Sequence, residues 1–177
     1  MSDHARMPAP GPWLKNMPPG GAVILRDLDA KRLELLAIRI IPLAHALGLK
    51  VLIAGDVRLA LKLNADGVHL CEHLVRRNAL RLRPQKANFL ITAAAHNRIA
   101  LQRATRIGAQ AILLSPVFTT NSHPGAKSLG ITRFCALARH SKLAIIALGG
   151  INSATIKRLR SSPAYGIAAI DLWTQTA

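Results

Sequence analysis

A cluster of hydrogen-bonding side chains follows a short apolar run near the middle of the chain. Residues 111–115, AILLS, have the composition of a buried strand, and Thr119, Thr120, Ser122 and His123 follow within a few positions. Hydroxyl groups donate hydrogen bonds to phosphate oxygens, and an imidazolium adds positive charge. The segment therefore predicts a binding site for a ligand that carries a phosphate group.

A pair of glycines, Gly149 and Gly150, follows another apolar run at residues 143–148. Glycine allows the backbone to approach a ligand closely, and Asn152 or Ser153 would then cap the next helix. Exposed amides at a helix N-terminus bind anions. The glycines therefore predict a second segment of the same phosphate site.

Titratable residues follow the other apolar runs and are candidates for catalysis or metal binding. His96 and His123 are candidate general acid–base groups, because histidine titrates near neutral pH. Arg26 is a candidate for neutralising a phosphate group. Glu72 and Asp171 are carboxylates that follow such runs and could bind a metal ion together with phosphate oxygens.

Seven short aliphatic runs alternate with segments of helical periodicity. This alternation is typical of parallel strands in βαβ units. The predicted strands are Ala22–Leu25, Lys50–Ala54, Gly67–Leu70, Asn88–Ala93, Ala111–Ser115, Leu143–Leu148 and Gly166–Leu172. Two of the helices are predicted at Lys31–Leu47 and Ile99–Ile107. We therefore expect an α/β fold, a TIM (β/α)8-type barrel, whose ligands bind where the strands end.

The composition indicates a folded cytoplasmic protein with an anionic ligand. Half of the residues are apolar, yet no run is long enough to span a membrane, and residues 1–13 lack the apolar core expected of a signal peptide. The two cysteines have no metal-binding spacing and fit a reducing compartment. There are 24 Lys and Arg against 8 Asp and Glu, which favours anionic ligands. Aromatic residues make up 3%, so a stacking surface for nucleic acid is not expected.

Three segments of the sequence resemble the thiamine-phosphate synthase and thiazole tautomerase (TenI) family of small barrels. They are DVRLAL with ADGVHL (56–61 and 65–70), SPVFTT (115–120) and ALGGI (147–151), and the resemblance runs from about Gly21 to Leu172. The synthase couples hydroxymethylpyrimidine diphosphate to thiazole phosphate, releases pyrophosphate and uses Mg²⁺. The resemblance thus implies a thiamine-biosynthesis transferase. The alternatives are a thiazole tautomerase, or a barrel that binds a phosphate ester without turnover.

The resemblance also implies roles for individual residues. Thr120 and Ser122 match a pair of hydroxyls that hold phosphate, and Gly150 matches a glycine whose amide meets the thiazole phosphate. Arg26 matches an arginine of the pyrimidine-diphosphate site. The thiazole phosphate site closes at Ile170–Asp171, where the family has a serine in place of the aspartate.

The magnesium site implied by the resemblance is altered in this sequence. Ala54–Gly55 stands where the synthase has an Asn-Asp pair, and Leu74 stands at its second magnesium carboxylate. Asp56 is retained, but we expect it to cap a helix. Either Glu72 and Asp171 rebuild a metal site, or cationic side chains neutralise the leaving pyrophosphate.

The resemblance predicts a barrel that lacks its first strand and its last helix. Family barrels begin with a strand followed by a Thr-Asp or Ser-Asp pair, whereas this sequence starts at Met1-Ser2-Asp3. Trp13, Leu14 and Met17 are expected in the first helix. Because an open seam exposes strand edges, we expect either further chain upstream or a second copy over the seam, in a homo-oligomer. The barrel is expected to be one domain over 1–177, with 1–20 matched only weakly.

Overall fold

Seven parallel strands form a curled sheet, and a helical segment follows each strand. This computed structural model describes residues 12–76, 86–120, 125 and 127–174. The strands are β1 (Ala22–Leu25), β2 (Lys50–Ala54), β3 (Gly67–Leu70), β4 (Leu90–Ala95), β5 (Ala111–Leu114), β6 (Ala144–Leu148) and β7 (Gly166–Ala168). They lie in chain order, each parallel to the next. The predicted α/β, TIM-like fold class is confirmed, with β1 and β7 as the edges of the described sheet.

Three of the six α-helices in the described residues begin at a side chain that caps the backbone after a strand. The helices are α1 (Ala30–Ala46), α2 (Val57–Lys62), α3 (Glu72–Arg76), α4 (Arg98–Arg106), α5 (Gly130–Arg139) and α6 (Asp171–Thr174), with 3₁₀ helices at Pro12–Asn16 and Ile156–Leu159. Asp29, Asp56 and Asn97 each accept a hydrogen bond from the amide three residues on, at 2.9, 2.8 and 3.0 Å. In the described ranges, no helix has the length and apolar character needed to span a membrane.

The predicted bounds of β1, β2 and β3 are confirmed, whereas those of the other four strands differ from prediction. β5 ends and β6 begins one residue inside the predicted bound, and β4 ends at Ala95 instead of Ala93. β4 starts at Leu90 instead of Asn88, because Asn88 has a φ of 61° that an extended strand does not allow. β7 ends at Ala168 instead of Leu172, because a helix begins at Asp171. The prediction that this strand runs through Ile170 and Asp171 is therefore wrong, since Ile170 precedes α6 and Asp171 is its first residue.

Side chains alternate along each strand between the helices and the interior of the barrel. Val68 and Leu70 of β3 pack in the large core under the helices, and Ile24, Leu52 and Leu113 form a second cluster inside the sheet. His69 lies between Val68 and Leu70, so it points inward. It is 6% exposed, and its Nδ1 lies 2.9 Å from Thr92 Oγ1, so this imidazole has a structural hydrogen-bond partner on β4.

The segments that precede β1 and follow β7 contact each other. The first 3₁₀ helix buries Trp13 and Leu14, and Asn16 Nδ2 donates to the carbonyl oxygen of Trp173 at 3.0 Å. This contact joins the two ends of the described chain beside the sheet edges. Residues 1–11 lie outside the described ranges, and cover of the seam by upstream chain or a second copy stays a prediction.

Replacing the cap of α2 tests whether Asp56 acts through its acceptor oxygen or through its charge. We expect Asp56→Ala to lower the free energy of unfolding by about 1 kcal/mol, since it leaves the Leu59 amide without its acceptor. Asp56→Asn keeps an acceptor oxygen and should remain close to the wild type. Urea unfolding of both variants measures the difference, and equal losses would show that the negative charge is what matters.

Candidate functional site

The candidate site residues lie at one rim of the sheet, because all the strands are parallel and their C-terminal ends share a side. By strand, the described candidates are Arg26 after β1, Glu72 after β3, His96 after β4, Thr120 after β5, Gly149 and Gly150 after β6, and Ile170 with the backbone of Asp171 after β7. Ser122, His123 and the side chain of Asp171 lie outside what the structure describes. The rim thus brings together the candidates that the sequence distributes over most of the chain.

The two predicted phosphate-binding segments contact each other directly. The amides of Val117 and Phe118 donate to the carbonyl oxygens of Leu148 and Gly149 at 2.9 and 3.0 Å. Gly150 has a φ of 65°, and a methyl group on its Cα would overlap the Thr119 carbonyl oxygen and lie 2.8 Å from Phe118 Cβ. A residue with a Cβ would therefore not fit at position 150. The backbone of Gly150 lies directly against residues 118 and 119, just before Thr120.

Side chains that follow Gly150 fix this loop. Thr155 Oγ1 donates to the Gly150 carbonyl oxygen at 2.8 Å, and Asn152 Oδ1 accepts from the amides of Ala154 and Thr155 at 3.0 Å. Asn152 therefore closes the turn before the next helix and does not cap that helix as predicted: the N-cap is Thr155, which makes no side-chain capping bond, and the helix is a 3₁₀ helix of four residues, Ile156–Leu159.

A cation–aromatic contact that the sequence did not indicate lies outside this loop. Arg158 Cζ lies 4.9 Å from the centre of the Phe118 ring, within the range of a favourable cation–π interaction. Phe118 is 7% exposed, so the guanidinium covers the ring and brings positive charge to the β5 loop. Neither residue type nor spacing signals this pair, since it depends on where the second 3₁₀ helix packs.

His96 is held in one orientation by Ser115. Its Nδ1 lies 2.7 Å from the Ser115 carbonyl oxygen and 3.3 Å from Ser115 Oγ. Because a carbonyl oxygen can only accept, Nδ1 is the donor in this contact, and Nε2 is the ring nitrogen on the side of Glu72. Nε2 lies 3.9 Å from Glu72 Oε2, with 47% of the His96 side chain exposed. This geometry suits a general acid–base group, whose partner Ser115 the sequence did not indicate.

His69, below the rim, is not available for such chemistry. Burial, together with the positive charge of Arg26, lowers the pKa of His69 to about 4, so the imidazole is neutral at neutral pH. Arg26 lies two residues beyond Ile24, which faces the inside of the sheet. Its charge therefore acts on the inner side of the rim, where a ligand would sit.

The two positions that the resemblance implies as magnesium ligands contact each other. A methyl group on Gly55 would lie 3.3 Å from Leu74 Cδ1. Neither residue offers an oxygen ligand from its side chain. Among the described residues, no three His, Cys, Asp or Glu side chains are grouped to hold a metal ion. The described rim does not fit Mg²⁺ in the way that the resemblance implies.

Comparison with known sequences supports one family. The thiamine monophosphate synthase family matches residues 13–172. A putative thiamine-phosphate synthase 2 of Aquifex aeolicus is 35% identical over 156 residues, which cover 86% of this chain and 82% of the relative. A thiamine-phosphate synthase of Chloroflexus aurantiacus is 29% identical over 161 residues, covering 85% of this chain and 71% of the relative.

Solved structures show the same fold. A thiamine phosphate pyrophosphorylase from Pyrococcus furiosus superposes with a TM-score of 0.73 at 20% identity, covering 90% of this chain and 76% of that one. A 3-hexulose-6-phosphate synthase superposes with a TM-score of 0.60 at 16% identity, covering 84% and 76%. At these identities the likeness concerns the fold alone.

Proposed function

Since the chain belongs to the thiamine monophosphate synthase family, we propose that it couples a pyrimidine diphosphate to a thiazole phosphate in thiamine biosynthesis. The observation that supports the proposal most directly is the contact between the loops after β5 and β6. Gly150 lies against Thr119, with no room for a side chain between the two loops. The names of the Aquifex and Chloroflexus relatives support the same reaction.

In this proposal, the rim binds the two phosphorylated groups at different strands. The thiazole phosphate lies at the loops after β5 and β6 and is closed by the start of α6; its residues are Thr120, Ser122, Gly149, Gly150, Ile170 and Asp171. Arg26, after β1, binds the diphosphate. We include His123 in the same phosphate site because it follows Ser122 in the sequence.

The coupling reaction places its largest electrostatic demand on the leaving group. The bond between the pyrimidine methylene carbon and a diphosphate oxygen breaks, so the departing pyrophosphate gains negative charge. Preorganised donors and cations stabilise such developing charge without reorganising during the step. Arg26 supplies a permanent charge for this purpose, since a guanidinium stays protonated.

A second candidate function is isomerisation of a thiazole phosphate, and the geometry of His96 favours it. Its Nδ1 is bound to Ser115, and its Nε2 faces Glu72 across 3.9 Å. Moving a proton between two positions of a substrate requires one such oriented base. In the coupling reaction, the same imidazole would instead add charge beside the pyrophosphate.

The experiment that separates these functions is a fluorescence assay for thiamine phosphate on folded protein given both synthase substrates. Product that falls at least about ten-fold in Thr120→Val, but not in the α5 control Thr132→Val, would support coupling at the proposed site. Isomerised thiazole phosphate without coupled product, lost in His96→Gln, would support the second function. Folded protein that binds neither substrate would refute both.

We also propose a cytoplasmic location and a homo-oligomeric state. The location is supported by the biosynthetic family and by Cys71 and Cys135, which are both free thiols. The oligomer is supported by the sheet edges at β1 and β7, neither of which has a second partner strand among the described residues.

A further inference from the structure

We propose that this barrel neutralises the phosphate groups of its ligand with cationic side chains and without a divalent cation. The inference rests on the proposed function for the place of the ligand, which is the rim formed by the C-terminal ends of the strands. It concerns how the charge of that ligand is balanced, and four features of the rim support it.

The first feature is the apolar contact between Gly55 and Leu74. Leu74 Cδ1 lies 3.3 Å from where a Cβ at position 55 would be, so the leucine covers the glycine. Gly55 also has a φ of 78°, a backbone conformation that residues with a side chain rarely adopt. A magnesium ion at this place would need oxygen ligands, but the side chains at these two positions offer only hydrocarbon.

The second feature is that five of the six described carboxylates already have partners. Asp27 accepts from the Arg32 guanidinium at 3.0 Å, which raises the pKa of Arg32, and also accepts from the Asp29 amide at 2.8 Å. Four others have the following partners: Asp29 the Arg32 amide, Glu34 Lys62, Asp56 the Leu59 amide, and Asp66 His45. A cation would have to compete with each of these contacts, and the sixth carboxylate, Glu72, has its Oε2 3.9 Å from His96 Nε2.

The third feature is the distribution of charge along the chain. From His73 to Ile170, the sequence contains Lys and Arg residues but no Asp or Glu. This stretch forms α4, α5, both phosphate-site loops and strands β4 to β7. The positive electrostatic potential of these Lys and Arg residues attracts phosphate oxygens and opposes the entry of a free divalent cation.

The fourth feature is that guanidinium groups approach the rim from two elements. Arg26 acts from the end of β1, and Arg158 acts from the second 3₁₀ helix over Phe118. Guanidinium groups form short charge-assisted hydrogen bonds to phosphate, often two at a time. They can therefore supply the charge that a metal would otherwise bring.

Calorimetric titration of the full chain with inorganic pyrophosphate tests the inference without relying on catalysis. We expect the dissociation constant in EDTA to be within about three-fold of that in excess Mg²⁺, and Arg26→Gln to weaken binding about ten-fold while Arg26→Lys weakens it less. Binding that appears only with Mg²⁺, or no binding in either buffer, would overturn the inference.

A matched pair of variants at position 74 tests whether the contact between Gly55 and Leu74 lies beside the bound pyrophosphate. Leu74→Asp adds a carboxylate at the apolar contact, so pyrophosphate binding in EDTA should weaken by about ten-fold and recover in part with Mg²⁺. Leu74→Asn has the same shape without the charge and should stay insensitive to Mg²⁺. Equal behaviour of the two variants would place this contact away from the ligand and overturn the inference.

The inference and the proposed function can fail separately. Thiamine phosphate formed only with Mg²⁺ would refute the inference and leave the function intact. Metal-independent binding of pyrophosphate, with no coupled product from both substrates, would refute the coupling function and leave the inference standing.

Discussion

Gly150→Ala is expected to reduce phosphate-ester binding by at least about a hundred-fold and to lower the free energy of unfolding by roughly 3 kcal/mol. The added methyl group would overlap the Thr119 carbonyl oxygen and lie 2.8 Å from Phe118 Cβ. Backbone, which cannot rotate away as a flexible side chain does, forms much of this contact. The β5 loop would have to move outward, and Thr120 would move with it.

Gly108→Ala is the matched control for the backbone conformation. Gly108 has a φ of 76°, similar to the 65° of Gly150, but no atom lies within 4 Å of a methyl group placed there. The free energy of unfolding of the control should therefore fall only by about 1–2 kcal/mol, which is the cost of a left-handed backbone conformation for alanine. Ligand binding should be unchanged. Urea unfolding and ligand titration measure both variants. Equal losses of stability, with intact binding in Gly150→Ala, would contradict the tight contact between the loops.

Acidification from pH 6.5 to pH 4 is expected to cost about 3 kcal/mol of stability through His69 alone. Burial, reinforced by Arg26, lowers the pKa of His69 in the folded state to about 4, whereas the unfolded chain titrates near 6.5. Below pH 6.5 the unfolded state therefore binds more protons than the folded state. The free energy of unfolding therefore keeps its full value with respect to His69 above pH 6.5. It falls progressively as the pH falls towards 4.

Urea unfolding at a series of pH values tests this expectation, because it gives the slope of the free energy of unfolding against pH. His69→Gln can still hydrogen-bond Thr92 but cannot titrate, so its stability should depend less on pH between 6.5 and 4. His140→Gln, at the exposed end of α5, removes a histidine elsewhere and should keep the wild-type slope. A wild-type slope in His69→Gln would show that His69 does not carry the acid sensitivity.

The strands and their order could be predicted from the sequence because each strand is a continuous apolar run. Both faces of a parallel sheet are covered, so Val51, Leu52 and Ile53 are all buried, although they point in alternate directions. The strand ends then identified the rim. The prediction failed at the end of β7, where the apolar residues Ala169 and Ile170 continue the run beyond the strand and only the turn into α6 ends it.

The contacts that decide the chemistry of the rim could not be predicted in this way. The proximity of Leu74 to Gly55 depends on the rotation of α3, and the bond from His96 to Ser115 depends on how β4 and β5 end side by side. Arg158 reaches Phe118 from the 3₁₀ helix that follows β6. Each contact joins residues far apart in the chain, so spacing alone contains no signal for it.

The order of the strands has a consequence for assembly during synthesis. Each strand from β2 onward pairs with the strand made immediately before it, so a growing chain can add one βα unit at a time to an existing edge. The hydrogen bond from Asn16 to Trp173 is different, since its residues are 157 positions apart. We therefore expect the sheet to form progressively as the chain leaves the ribosome, and the packing of the first 3₁₀ helix on α6 to be completed last.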